Sequence, residues 1–572
     1  MTTIALSLPG GASTRGRMTG RRIRIAMLLL TLLFGAVSAR LVQLGLVVTD
    51  TTIEGVERSV ITASRPEILD REGMTMALDL RVPSLFAEPR RIVDVEEAVA
   101  KLRNILPDLD EVALRKKLST DKGFVWIKRE LSPAQRDAIM QLGLPGFDFL
   151  SESRRFYPGG AEASHVLGTV NIDNQGISGL EKYLDDTDLA LLQDVGLARD
   201  TTLTPVKLSL DVRVQHVMRQ ELLDALTRYR AIAAAAVMLD ARTGEVIALS
   251  SLPDFDPNDP KTALLEGRLN RISAGSFELG STFKSVTFAA ALDSGKVTLR
   301  DSFDARFGIR FGRFTIDDFH GKNRILTMPE VYKYSSNVGT IRIQQALGKD
   351  QFRAFLSRLH FDELLTTELP ETARPNVPPT FSDIVAATAS FGHGISVTPL
   401  RMASVMAAFV NGGIYLKPTF FPREPSEAQR LGERVIKPET SERLRYLMRL
   451  NALEGSGTRM NKIAAGYRAG GKTGTAEKVV NGRYQANTNL NAFASAFPLD
   501  NPRYVMVVLV DEPKAENAQS GTTAGWNAGE VSGRIIQRAA PMLGIAPDFD
   551  TALDDALLPP ELRFGTSPTF AQ

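Results

Sequence analysis

Ser281, Lys284, Ser335, Asn337 and Lys472 are the residues whose types and order point to chemistry. They lie in three short motifs: Ser281-Thr282-Phe283-Lys284, Ser335-Ser336-Asn337 and Lys472-Thr473-Gly474-Thr475. A serine hydroxyl is a weak nucleophile until a base takes its proton. Residues three apart share a helix face, so Lys284 can reach Ser281. It acts as a base only when neutral, which requires burial or a nearby positive charge. Lys472 can supply that charge. Ser335 can relay a proton to a leaving amine, and Asn337 can donate to a substrate amide. The Thr473 and Thr475 hydroxyls, with the Lys472 charge, suit a C-terminal carboxylate. Gly474 lets a substrate backbone come close. The N–H groups of Ser281 and Thr475 would form an oxyanion hole, typically worth about 3–4 kcal/mol per donor. The set amounts to acyl transfer through a serine, without a histidine.

Each motif alone is weak, and the chain contains a second Ser-x-x-Lys, Ser119-Thr120-Asp121-Lys122. That copy lies among charged residues and reads as a solvated loop or helix end. The specific signal is the conjunction of three motifs in order. Their surroundings agree. Gly280 precedes Ser281, and Ser285 to Leu292 reads as an apolar helix, which places Ser281 in its first turn. A serine N-cap with an exposed lysine is the ordinary alternative for such a pair. Phe283 and Val286 around Lys284 argue against it. Lys472 belongs on a strand that runs into Asn481-Gly482, a hairpin turn signal.

Several longer motifs accompany this trio. They are Arg65-Pro66-Glu67-Ile68-Leu69-Asp70-Arg71-Glu72-Gly73, Tyr157-Pro158 with His165-Val166-Leu167-Gly168, and Gly176-Ile177-Ser178-Gly179-Leu180-Glu181. Phe391-Gly392-His393-Gly394, Thr398-Pro399 and Asn411-Gly412-Gly413 follow. With them the chain, from about Arg21 to Gly544, resembles the class B penicillin-binding proteins. Phe277-Glu278-Leu279-Gly280 before Ser281 and a short N-terminal tail resemble the septal, FtsI-type branch; the elongation-specific branch is the nearer competitor. Pro66 stands where that family usually has Gly, and Leu279 where many members have Pro.

The resemblance implies a peptidoglycan D,D-transpeptidase. Ser281 would attack the penultimate D-Ala carbonyl of a stem peptide and release the terminal D-Ala, and an amine from a neighbouring strand would resolve the acyl-enzyme. β-Lactams would acylate Ser281 and stay. It also implies a membrane-embedded FtsW-type glycan polymerase and other divisome proteins as partners. Carboxypeptidase or β-lactamase activity, with water as acceptor, is a rival, and a catalytically silent scaffold or β-lactam receptor is another.

Composition bounds the rest. A chain of 572 residues predicts several domains, and 43% hydrophobic residues is ordinary for a folded protein. A net charge of +2 gives no reason to invoke nucleic acid. There is no cysteine, so disulfides and thiolate metal sites are excluded. His165, His216, His320, His360 and His393 are dispersed, and neither a metal site nor a cofactor is expected. Residues 1–24 carry Arg15, Arg17, Arg21, Arg22 and Arg24 and no acid, and read as a cytoplasmic tail. Residues 25–48 read as a transmembrane anchor in an inner membrane, interrupted by Arg40 and Gln43, with the catalytic part periplasmic. A signal peptide cleaved near Val37-Ser38-Ala39 is the alternative.

The expected fold class is α+β. Residues 49–215 would form an elongated, non-catalytic pedestal of the dimerisation type. Residues 216–545 would form a serine transpeptidase domain, its antiparallel sheet covered by helices, and 546–572 a loosely ordered tail. Within the transpeptidase region, strands are expected at Ala233–Asp240, Glu245–Ser251, Ala492–Phe497 and Tyr504–Val510. Helical stretches are expected over Ser281–Leu292, Met328–Leu347 and Ile384–Phe409.

Overall fold

A computed structural model describes residues 27–35, 37–38, 65–187, 204–480, 483–550 and 552–563. Two compact units emerge: Val82–Glu152 forms one, and Thr62–Arg81 with Ser153–Gln572 the other.

The larger unit is built on a five-stranded antiparallel sheet. Its spatial order is Gly470–Val480, Arg483–Phe497, Tyr504–Asp511, Ala233–Asp240, Val246–Leu252. The register runs across it through Lys472↔Ala494, Ala494↔Val507, Val507↔Val237 and Val237↔Leu249. The central strands are apolar at nearly every position because both faces are covered. Ala235, Val237, Leu239, Val505, Val507 and Leu509 pack into one core with the helices Lys284–Ser294 and Pro399–Val410. Their neighbours Ala234, Ala236, Met238, Met506, Val508 and Val510 point the other way, toward Val212–Arg228 and Ala528–Ala539. The alternation follows the two-residue side-chain period of a strand.

Two expected helices are broken. Met328–Leu347 divides into Met328–Lys333 and Asn337–Leu347. Ser335 sits between them at φ 55°, and Ser336 caps the second helix by accepting from Gly339 N at 2.9 Å. Ile384–Phe409 divides into Asp383–Ser390 and Pro399–Val410. Gly392 and Gly394 take positive φ in the gap, and Thr398 caps a helix that starts on proline. Both breaks are local chemistry overriding an apolar period that reads as continuous helix.

Val82–Glu152 is a smaller unit. The Leu85–Ala87 end of a long strand pairs with Val125–Lys128. Helices Val95–Ile105, Glu111–Leu118 and Pro133–Gln141 close over Val99, Leu102, Leu114, Leu118 and Ile139. The second Ser-x-x-Lys is at the C-terminal end of Glu111–Leu118, with Ser119 and Lys122 exposed.

Of the expected anchor at 25–48, residues 27–35 and 37–38 are helical and exposed, and the remainder lies outside the described residues. Among the described residues no helix is long and apolar enough to cross a membrane. The Asn481-Gly482 turn also lies outside them, but Val480↔Arg483 pairing closes the hairpin around it. The tail carries more order than its prolines suggest. Helices Ala552–Ala556 and Pro560–Arg563 are tied down by Arg449–Asp554 at 2.7 Å and Arg443–Glu561 at 2.7 Å.

Candidate active site

Ser281 lies in a 3₁₀ turn, Gly280–Phe283, that leads into the helix Lys284–Ser294. It is half-buried, whereas Lys284 on the next turn is fully buried. Gly280 takes φ 52°, and a Cβ there would lie 2.8 Å from the Thr475 carbonyl oxygen. The Ser281 turn therefore abuts the Lys472 strand. A Cβ on Gly474 would lie 2.1 Å from the Leu279 carbonyl oxygen and 3.0 Å from Thr282 N. The close approach that needs glycine at 474 is made by the chain's own Leu279–Thr282 segment; the sequence suggested approach by substrate. Gly392 backs the same turn, with its ideal Cβ 2.2 Å from the Gly280 carbonyl oxygen.

The helix break at Ser335 brings the lysines together. Lys472 Nζ donates to Ser335 Oγ at 2.9 Å and to the Thr473 carbonyl at 3.1 Å. Lys284 Nζ donates to Ser335 Oγ at 3.1 Å and also to the Ser335 carbonyl. No hydrogen bond joins Lys284 Nζ to Ser281 Oγ among the described residues. Lys284 Nζ is instead turned toward Ser335, whose carbonyl lies in the gap between the two helices.

Neither lysine forms an ion pair among the described residues, and both are fully buried. Burial lowers Lys472 to about 7. Burial pushes Lys284 well below the usual lysine range; the Lys472 charge pushes it further, and Asp318 only partly opposes this. Both shifts run in the direction that favours the neutral amine.

Asn337 begins the second helix, and its Nδ2 makes a long contact to the Asp317 carbonyl at 3.4 Å. Sequence reasoning missed Asp318. Its carboxylate accepts from Ser336 Oγ at 2.6 Å, from Val338 N at 3.0 Å and from Asn337 N. It anchors the N-terminus of the helix that carries Asn337, where negative charge is favoured. No motif marks it, because it is eighteen residues upstream in a separate hairpin region. Thr473 meets Ser456 Oγ at 2.6 Å, and Thr475 Oγ1 accepts from Ala524 N at 3.2 Å. Ser456 was missed for the same reason. Among the described residues no cluster of histidine, aspartate or glutamate has the geometry to hold a metal ion.

The penicillin binding protein transpeptidase domain family matches residues 234–533, and the penicillin-binding protein dimerisation domain family matches 60–189. The probable peptidoglycan D,D-transpeptidase FtsI of Caulobacter vibrioides is 35% identical over 493 residues, 85% of this chain and 82% of that protein. The chain belongs to the penicillin-binding protein transpeptidases. The peptidoglycan D,D-transpeptidase FtsI of Escherichia coli is 29% identical over 92% of each chain. The crystal structure of penicillin binding protein 3 from Mycobacterium tuberculosis, complexed with aztreonam, superposes with a TM-score of 0.64. It is 23% identical and covers 85% of this chain and 97% of that one, so it speaks to the fold. Within a transpeptidase of this family, two lysines converging on one serine hydroxyl, one of them three residues along the chain from the half-buried Ser281, form an arrangement that can move a proton.

Proposed function

We infer that this penicillin-binding protein is a peptidoglycan D,D-transpeptidase that cross-links stem peptides at the division septum and is acylated by β-lactams. The observation that carries the reading is Ser335 Oγ, contacted at once by Lys284 and Lys472, two buried lysines with no carboxylate partner among the described residues. Ser281 is the nucleophile. Lys284, neutral through burial, accepts its proton as the Oγ–carbonyl bond forms. Ser335 passes a proton to the leaving D-Ala amine, and Asn337 holds the substrate amide. Lys472, Thr473 and Thr475 take the terminal carboxylate, with Gly474 leaving room for the Ser281 turn. The N–H groups of Ser281 and Thr475 face the developing oxyanion. An acceptor amine then attacks the acyl-enzyme and regenerates Ser281.

Residues 25–48 would anchor the chain in the inner membrane, with residues 1–24 cytoplasmic and the transpeptidase domain periplasmic. The anchor and the 49–215 pedestal would meet an FtsW-type glycan polymerase and other divisome proteins. These statements rest on the arginine-rich N-terminus, the hydrophobic span and the FtsI-type relatives.

The test is labelling of the purified protein with a fluorescent penicillin, beside Ser281→Ala, with intact mass and peptide mapping. A stable adduct on Ser281, absent from the variant, is the expected result. A folded wild type that acquires no adduct overturns the assignment.

A further inference from the structure

Thr473 and Thr475 flank the same strand position, yet their hydroxyls are wired differently. Thr475 Oγ1 accepts a backbone N–H, from Ala524 at 3.2 Å. That donor cannot reverse, so the Thr475 proton is free to point at a bound anion. Thr473 Oγ1 instead meets another hydroxyl, Ser456 Oγ, at 2.6 Å, and either oxygen can be the donor.

The choice is set one step further back. Asn451 is fully buried, and its Nδ2 donates to the Gly471 carbonyl at 2.8 Å. That bond fixes the amide orientation, so Oδ1 faces Ser456 and accepts from Ser456 N at 3.1 Å and Ser456 Oγ at 3.2 Å. Ser456 has one hydroxyl proton and two acceptors for it. Pointing at Asn451, it leaves Thr473 to donate toward Ser456 and to present only lone pairs to the substrate. Pointing at Thr473, it frees the Thr473 proton for the substrate.

We propose that Ser456 is a positioning residue that turns Thr473 into a hydrogen-bond donor when a substrate carboxylate arrives. A carboxylate only accepts, so its binding selects the order Ser456 to Thr473 to carboxylate. The switch leaves no group stranded, because Asn451 Oδ1 keeps the Ser456 N–H. Gly525 lets its backbone pass close to this loop: a Cβ there would lie 2.8 Å from the Ser456 carbonyl oxygen. Hydrogen bonds to charged groups are the stronger ones, so the orientation matters most for an anionic ligand. The proposal rests on the reading that Ser281 is acylated and that Thr473 meets the carboxylate.

The experiment compares second-order acylation rates of Ser281 by benzylpenicillin and by its methyl ester, in wild type, Ser456→Ala, Ser456→Thr, Thr473→Ala and the Ser456→Ala/Thr473→Ala double variant. The acid-to-ester ratio is internal to each preparation and does not depend on the fraction folded. Ser456→Ala removes the donor that orients and polarises the Thr473 hydroxyl toward the carboxylate, and should lower that ratio about fivefold, with the ester rate changed less than about twofold. Ser456→Thr should restore it. The double variant should fall no further than Thr473→Ala alone, because Ser456 acts through Thr473. Equal losses for acid and ester, or additive losses in the double variant, overturn the role given to Ser456. Failure of wild type to form any Ser281 adduct instead sinks the acylation reading and this inference with it.

Discussion

Arg155 and Lys284 are both basic residues with fully buried side chains in the same compact unit, and their surroundings are opposite. Arg155 meets Glu181 at 2.7 Å and Asp79 at 3.2 Å. Arg65 completes the cluster, reaching Glu181 at 2.8 Å and Asp185 at 2.6 Å, while Asn174 Nδ2 donates to Asp79 at 3.0 Å. Lys284 meets one residue's hydroxyl and carbonyl and a second lysine. Burial alone would lower Arg155, but Glu181 and Asp79 outweigh it and its net shift is upward. At Lys284 nothing outweighs burial, and the shift is downward. A paired buried cation is a fixed strut that joins distant segments, here Arg65 to Glu181. An unpaired one is unstable as a cation and is available as a base.

Removing the neutral base should give the largest effect. Lys284→Arg keeps a permanent charge at that position, and acylation of Ser281 by penicillin should fall about a thousandfold. Stopped-flow labelling reads this, and a loss below tenfold would show that Lys284 is not the base. Next comes the paired cluster. Glu181→Gln removes the carboxylate shared by two buried arginines, leaving only Asp79 to Arg155 and Asp185 to Arg65, and should cost about 3 kcal/mol in denaturant unfolding. The folded fraction should still acylate at the wild-type rate, since no member of this cluster belongs to the active-site set.

The pH profile sharpens the contrast. Acylation should rise with pH as Lys284 loses its proton, then fall above about 7 as Lys472 loses the charge that holds a carboxylate. The two apparent values belong to the coupled pair. For stability, Lys472 titrates at about 7 when folded against an ordinary 10.5. Between those values the unfolded chain binds more protons than the folded one, so stability rises with pH across that window. Lys472→Met should reduce that rise, leaving the part that comes from buried Lys284, and raise the thermal midpoint at neutral pH, while it weakens penicillin binding. The smallest effect belongs to an exposed pair in the other unit. Arg115 and Glu96 meet at 2.7 Å in solvent, and Arg115→Ala should leave the unfolding midpoint nearly unchanged.

Most strands were legible in the sequence, and so were the three motifs on which the proposed chemistry rests. Ser281, Lys284, Ser335, Asn337 and Lys472 are local motifs, and Ala233–Asp240 and Tyr504–Asp511 are apolar runs bounded by turn signals. Their legibility has a physical basis: a motif and a strand both depend on neighbours along the chain. The two helix breaks were not legible as breaks, since Met328–Leu347 keeps a helical apolar pattern through Ser335.

Only the tertiary structure decided which cations are paired and which are not. Arg155 and Lys284 are each a basic residue near apolar ones, and nothing local separates them. Their fates depend on Glu181, Asp79 and Lys472, contributed from elsewhere in the chain. Asp318 and Ser456 are set by the same kind of long-range contact. The residues that could react are written in order along the chain. The charge state in which they react is fixed by what the fold packs around them, because a pKa responds to distance and burial rather than to position in sequence.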